Sequence, residues 1–250
     1  GEILPSYISN NLKHKLRDYQ VYAIRNLLIM LRAGEDKTSE TYETFKDFLH
    51  VNQFLFRMAT GSGKTNVLAA SILALYKEKN VKRFLFTTNL KSVLRKTADN
   101  LIHEASEKYL FNQRINIAGR TIRIVQVREN EDFPDVEPDT IYIKIVSIQT
   151  LSNQLDESKA REGRSSLDNI ISENIALLVD EAHHFNANAS VQKVYSGENP
   201  AAFENTMDTI RNAVKSNQKY VIQLEFTATL PFGNKGKNKK VRDKYLDKLL

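Results

Sequence analysis

The stretch "FLFRMATGSGKT" at residues 54–65 constrains the fold more than any other part of the chain. A short apolar run enters a small-residue turn ending in Gly-Lys-Thr, and an apolar helical pattern follows at once. Glycine at 61 and 63 permits the dihedrals and the close approach that a side chain would block. Consecutive backbone N–H groups of Gly61 to Thr65 can then face one concavity. The helix that starts there adds its positive dipole end, so the spacing predicts a triphosphate site on a strand–turn–helix unit. The nucleotide-binding residues expected are Thr60, Gly61, Ser62, Gly63, Lys64 and Thr65. Lys64 reaches the β- and γ-phosphates, and the Thr65 hydroxyl holds Mg²⁺ beside ATP. One departure is visible: Met58 stands where the general pattern for such loops begins with glycine.

A metal held by one hydroxyl and phosphate oxygens needs an acidic partner. "LLVDEAHH" at 177–184 supplies one, because a continuously apolar strand delivers Asp180 to the carboxyl edge of a parallel sheet, where such folds bind ligands. If this strand neighbours the one carrying the glycine turn, Asp180 faces the Mg²⁺ and Glu181 orients or deprotonates the attacking water. The bland alternative, a helix N-cap with an acidic first turn, loses weight beside the upstream phosphate loop. His183 and His184 invite a zinc reading. Adjacent helical positions point about 100° apart and lack the i, i+4 spacing of a helical metal pair, so zinc is rejected.

Along the rest of the chain, helical periodicity covers Asp18 to Arg32, and residues 33–41 read as a polar loop. Strands are expected at 52–57, 83–88, 140–148, 175–180 and 219–227, and helices at 64–79, 91–108 and 201–215. The segment 114–127 alternates around Gly119 as a hairpin does. Strands alternating with helices predict an α/β fold with a mainly parallel sheet flanked by helices and an inserted β-hairpin. The chain lacks cysteine, which excludes disulfides and thiolate metal sites. Lys plus Arg total 36 against 30 Asp plus Glu, a net charge of +6 that suits a polyanionic partner without requiring one. The longest apolar-rich run, Val67 to Tyr76, is about half the ~20 residues that span a bilayer. No membrane and a cytoplasmic location are therefore expected. The opening Gly1 suggests a fragment, the acidic loop at 129–139 reads as solvated, and the basic run at 233–250 reads as a linker.

"MATGSGKT", "DEAH" and "FTATL", in that order, resemble motifs I, II and III of the superfamily 2 helicases and translocases. "LRDYQ" at 16–20 is similar to that family's adenine-recognition (Q) motif, and the segment after the second strand to its motif Ia. The resemblance implies that residues 1–232 form an N-terminal RecA-like P-loop lobe in which Arg17 and Gln20 contact adenine. Lys64 and Glu181 would be catalytic, Thr65 and Asp180 would hold the metal, and His183, Thr227 and Thr229 would couple nucleotide state to movement. "NLKSVLRKTADNL", "SEKYLFN", the hairpin and "DEAHHFN" look like the motor portion of type III restriction enzyme Res subunits. That similarity implies duplex DNA as partner, a second RecA-like lobe, and a modification methyltransferase subunit.

By the same resemblance, Thr88, Asn89 and Lys91, together with "SIQTL" at 147–151, would touch nucleic-acid phosphates. Their plain reading is a loop and an N-cap before a surface helix. "NIAGRTIR" at 116–123 imitates an arginine motif of the second lobe, but it precedes the Asp180 strand and fits a hairpin, so it is read as a decoy. Without the second lobe's arginines, slow hydrolysis is expected. An RNA helicase lobe and a non-motor phosphate-loop switch or kinase remain as alternatives.

Overall fold

Continuous apolar strands joined by helices bury their surface best as a parallel sheet with helices laid over it. A computed structural model of the chain describes residues 4–33, 35, 37–49, 53–88, 91–155, 174–180 and 221–228. Its strands are β1 (Gln53–Arg57), β2 (Arg83–Thr88), β3 (Ile115–Ile117), β4 (Arg120–Val127), β5 (Thr140–Ser147), β6 (Ile175–Val179) and β7 (Val221–Thr227). They form one sheet in the order β1-β7-β6-β2-β5-β4-β3. Every neighbouring pair is parallel except β3 and β4, which form the expected antiparallel hairpin. The helices are α1 (Ser6–Ser9), α2 (Asp18–Ala33), α3 (Glu40–Leu49), α4 (Lys64–Lys79), α5 (Lys91–Leu101) and α6 (Ile148–Leu155).

Alternate residues of the central strands supply one apolar face: Phe54 and Phe56, Leu224 and Phe226, Leu178, Phe84 and Phe86. Phe56 and Phe226 are paired across β1 and β7 and stack with centroids 4.7 Å apart and planes 6° from parallel. Onto this face packs α4, whose Val67 to Leu75 are buried without a break. A helix apolar on one stripe would leave part of that run in water; here α2 covers the outer side. Ala69, Ala70 and Ala74 keep α4 narrow enough for that second layer.

Polar contacts lock α1, α2 and α4 together at the far end of α4. Arg32 donates twice to Glu78, from Nε at 2.9 Å and from Nη2 at 2.7 Å, and the Tyr7 hydroxyl donates to the same carboxylate. The Arg32 fork holds the Glu78 carboxyl below its ordinary pKa, against the opposing effect of burial.

Several expectations change. α3 begins at Glu40, inside the polar loop expected over 33–41: Ser39 accepts the Tyr42 N–H through Oγ at 3.0 Å, an N-cap that the turn-like composition of that stretch concealed. The helix from Lys91 stops at Leu101 instead of continuing to 108. Tyr109 and Phe111 are drawn into the core, and Phe111 bridges to Leu12, which a straight helix could not allow. The helix expected at 201–215 lies outside the described residues. The acidic loop is largely exposed, as expected, but it is also tied to the sheet. Its carbonyls take bonds from basic side chains: Lys144 Nζ to Glu131 O at 2.7 Å, and Arg83 Nη2 to Pro134 O at 3.0 Å. Lys144 is buried within an apolar strand, and burial pushes its pKa down.

Two predictions follow from these contacts. A carboxylate whose folded pKa is depressed contributes stability above its unfolded pKa and loses it as pH falls through the folded value. Glu78→Gln should therefore cost about 1 kcal/mol at neutral pH, discounted for the half-exposed Arg32, and nothing once the pH is below the folded value. Urea denaturation of both proteins across the acid range measures the gap closing. In the hairpin turn, Ala118 and Gly119 both have positive φ, at 53° and 79°. Asn is better tolerated than Ala in that region, so Ala118→Asn should stabilise the chain by roughly 0.5 kcal/mol or more in the same assay.

Candidate nucleotide-binding site

The phosphate-loop turn is built from both ends. At its entrance, the Met58 N–H donates to the Thr227 carbonyl at 2.8 Å, extending the β1–β7 pairing past the strand end. The Ser62 N–H then closes a turn onto Ala59 O at 3.1 Å. Gly61 and Gly63 both sit at φ +77°, a left-handed conformation that costs an L side chain about 1–2 kcal/mol. At its exit, Gly63 is the N-cap of α4, with no side-chain cap on that helix end. The dipole of a sixteen-residue helix therefore ends at the turn.

Across the cleft stands Asp180, immediately after β6. Its N–H donates to Thr87 O at 3.1 Å, which holds it in line with the β2 end. The condition placed on this residue, that its strand neighbour the phosphate-loop strand, is not met, because β7 lies between β1 and β6. Two strand spacings separate them, about 10 Å. The Lys64 side chain spans the interval: its Nζ lies 3.6 Å from Asp180 Oδ1. The two groups are 12% and 22% exposed, so the pair is sheltered while still open to a ligand. Lys64, Thr65 and Asp180 line one small pocket, open to solvent, with Leu68, Phe86, Thr97 and Phe226.

This donor set fits a magnesium triphosphate. Among the described residues no atom lies within 4 Å of a Cβ added at Gly61, so the space over it is open to a ligand. The Ser62 hydroxyl is buried and has no hydrogen-bond partner among the described residues. One cation, one carboxylate and two threonines line the pocket, and a metal there would take its remaining ligands from phosphate and water, as Mg²⁺ does. Among the described residues no cluster of three His, Cys, Asp or Glu could hold a metal by itself.

Other expected residues fall as follows. Gln20 is buried, and its amide is spent on the loop: Nε2 donates to Ser62 O at 2.9 Å and to Gly63 O at 3.2 Å, while Oε1 accepts the Arg17 N–H at 2.9 Å. Arg17 reaches the Tyr19 hydroxyl through Nη1 at 3.3 Å. Thr60 is exposed on the turn, and Thr227 is buried at the end of β7. Thr88 is wholly buried, and Lys91 opens α5. Ser147 caps α6 by accepting the Thr150 N–H at 3.1 Å, so that hydroxyl has a local use. Glu181, His183, Thr229 and Asn89 lie outside the described residues.

Sequence reasoning missed two residues. Thr97 lines the pocket from α5; its place three residues from Leu94 and four from Leu101 on an amphipathic helix was the available signal. Tyr19 touches the loop directly, donating from its hydroxyl to Ser62 O at 2.7 Å, and its position beside Gln20 masked it.

A family model described as "Type III restriction enzyme, res subunit" matches residues 13–232. The chain belongs to that family. A Haemophilus influenzae relative, described as a probable type III restriction-modification enzyme HindVIP Res subunit, is 33% identical over 267 residues, covering 99% of this chain and 48% of the relative. The chain therefore spans about half the length of that Res subunit. Two solved structures are similar in fold. The Sulfolobus solfataricus SWI2/SNF2 ATPase core in complex with double-stranded DNA is 17% identical, covering 96% of this chain and 37% of its own, with a TM-score of 0.48. The UvsW helicase from bacteriophage T4 is 13% identical over 80% of this chain and 55% of its own, with a TM-score of 0.38. At those values membership rests on the family match and the Haemophilus relative. The Res-family segment runs from before Arg17 to beyond Thr229, so every expected site residue falls inside it.

The two glycines of this Res-family loop should respond differently to alanine. At Gly61 only the backbone conformation is penalised. At Gly63 the added Cβ would also lie 2.5 Å from Gln20 Nε2. Gly63→Ala should therefore lower the melting temperature more than Gly61→Ala when both are measured without nucleotide.

Proposed function

We propose that this chain is the ATP-binding lobe of a DNA-translocating motor in a type III restriction enzyme. The single observation that carries the reading is the 3.6 Å approach of Lys64 to Asp180 across the intervening strand β7. It brings a phosphate-binding cation and a metal-binding carboxylate into one cleft, at the edge where parallel sheets bind ligands.

In this reading the N–H groups of Gly61 to Thr65 and the α4 N-terminus bind the phosphates. Lys64 orients the terminal ones, and Thr65 and Asp180 hold Mg²⁺. Magnesium-bound ATP supplies the transferable phosphoryl group and the neutralising charge. Glu181 orients the attacking water or takes its proton. Arg17 and Gln20, just before and within the first turn of α2, would contact adenine. A contact between Gln20 and the base would exchange its present bonds to Ser62 and Gly63 for bonds to adenine. His183, Thr227 and Thr229 relay the nucleotide state, and a second lobe supplies the arginines that stabilise charge on the leaving phosphate. Thr88, Asn89 and Lys91 would face duplex DNA through its phosphates, independent of sequence, in a cytoplasmic complex with a modification methyltransferase subunit.

The expected outcome for Lys64→Ala in the full-length protein is a loss of DNA-stimulated ATP hydrolysis by about a hundredfold or more, with weakened ATP binding. Unchanged ATP affinity and turnover would remove the motor reading. Stimulation by RNA in place of duplex DNA would replace the partner proposed here.

A further inference from the structure

The contacts behind the phosphate loop assign it a brace. We infer that the Tyr19 hydroxyl is a positioning group for phosphate binding: it fixes the direction of the Gly63 N–H by holding the carbonyl of the same peptide unit. The inference rests on the nucleotide reading above and deepens it.

A trans peptide is planar, with its C=O and N–H pointing in opposite directions. The chain has no cis peptide bond among the described residues. Whatever holds the Ser62 carbonyl on the α2 side therefore turns the Gly63 N–H away from α2. Ser62 O accepts from Tyr19 Oη at 2.7 Å and from Gln20 Nε2 at 2.9 Å, which fills both lone-pair directions of that oxygen. The next unit is held in the same way: Gly63 O accepts from Gln20 Nε2 at 3.2 Å and from the Asn66 N–H at 2.9 Å, and this orients the Lys64 N–H.

The brace matters because the loop's own residues do not supply it. Gly61 and Gly63 flank Ser62, both at φ +77°, and glycine populates the mirror conformations almost as readily. Without an external hold, rotation about the bonds flanking the 62–63 peptide would turn its N–H out of the concavity. Gln20 is buried and packed against Gly63, whereas Tyr19 is half exposed with its hydroxyl on the loop. Its ring is therefore dispensable to the core, and its hydroxyl can be removed cleanly. Arg17 Nη1, 3.3 Å from the same oxygen, occupies its acceptor side and leaves the hydroxyl proton for Ser62.

A base contact and a loop brace make different predictions for a ligand that has no base. Tyr19→Phe and the unaltered chain would be titrated calorimetrically with magnesium tripolyphosphate, ATP and GTP, with melting temperatures recorded alongside. The expected result is that tripolyphosphate and ATP both bind about fivefold more weakly to Tyr19→Phe, as loss of one net hydrogen bond implies. Stoichiometry and the ATP-to-GTP ratio should be unchanged, and the melting temperature should fall by no more than about 2–4 °C, the shift that one hydrogen bond implies for a chain of this size. Equal tripolyphosphate affinity in the two proteins, with the unaltered chain binding normally, overturns the brace and leaves the nucleotide site standing. A changed ATP-to-GTP ratio with unchanged tripolyphosphate affinity also overturns it and makes Tyr19 a base contact. Failure of the unaltered chain to bind either tripolyphosphate or ATP removes the nucleotide reading itself, and the brace with it.

Discussion

The burial of α4 on every side determines where the phosphate loop can end. Its middle nine residues, Val67 to Leu75, are buried among the sheet, α2 and their neighbours. Each large apolar side chain in that run contributes about 1.5–3 kcal/mol, and a shift of the helix along its axis would forfeit several of these at once. The loop joins the first turn of that helix to the end of β1, and Met58 is tied in turn to β7. A flexible glycine sequence is thus held between two rigid ends. The remaining freedom lies in the peptide planes themselves, and α2 reaches these through Tyr19 and Gln20.

Placing a strand between the phosphate-loop strand and the carboxylate strand has a chemical use. Adjacent strands would leave only about 5 Å between the loop strand and the carboxylate strand. With β7 between, the gap of about 10 Å leaves room for a metal and a phosphate. The ammonium group then bridges the cleft to the carboxylate. A partly buried pair of this kind is weak support for stability. Its consequence is that a site for a polyanion and its cation already holds one charge of each sign. The same strand carries Thr227 to the entrance of the loop, where its carbonyl accepts the Met58 N–H.

How far the sequence could be read depends on whether the signal was local. Gly61, Gly63, Lys64 and Thr65 were legible because a phosphate loop is a single turn whose function follows from dihedrals and N–H directions. The hairpin at Ala118–Gly119 and the parallel strands were legible for the same reason: period and turn chemistry are written in consecutive residues. The early end of α5 was not, because it follows from Phe111 meeting Leu12, a contact between segments that share no local pattern. The hold of the basic side chains Arg83 and Lys144 on the acidic loop was hidden likewise, since carbonyl acceptors leave no trace in composition. Thr97 and Tyr19 joined the site unannounced, each read only as part of a helix.

By itself, the sequence determined the chemical parts: a glycine-rich turn able to present N–H groups, a lysine and a hydroxyl beside it, and a carboxylate at the end of an apolar strand. These depend on residue type and on spacing within one element, which are properties of a short chain segment. Tertiary structure alone decided that the carboxylate strand stands two places from the loop strand, that Lys64 crosses the interval, and that α2 lies against the back of the loop. Strand order and helix docking follow from how the whole apolar surface is buried, and no single segment contains that information.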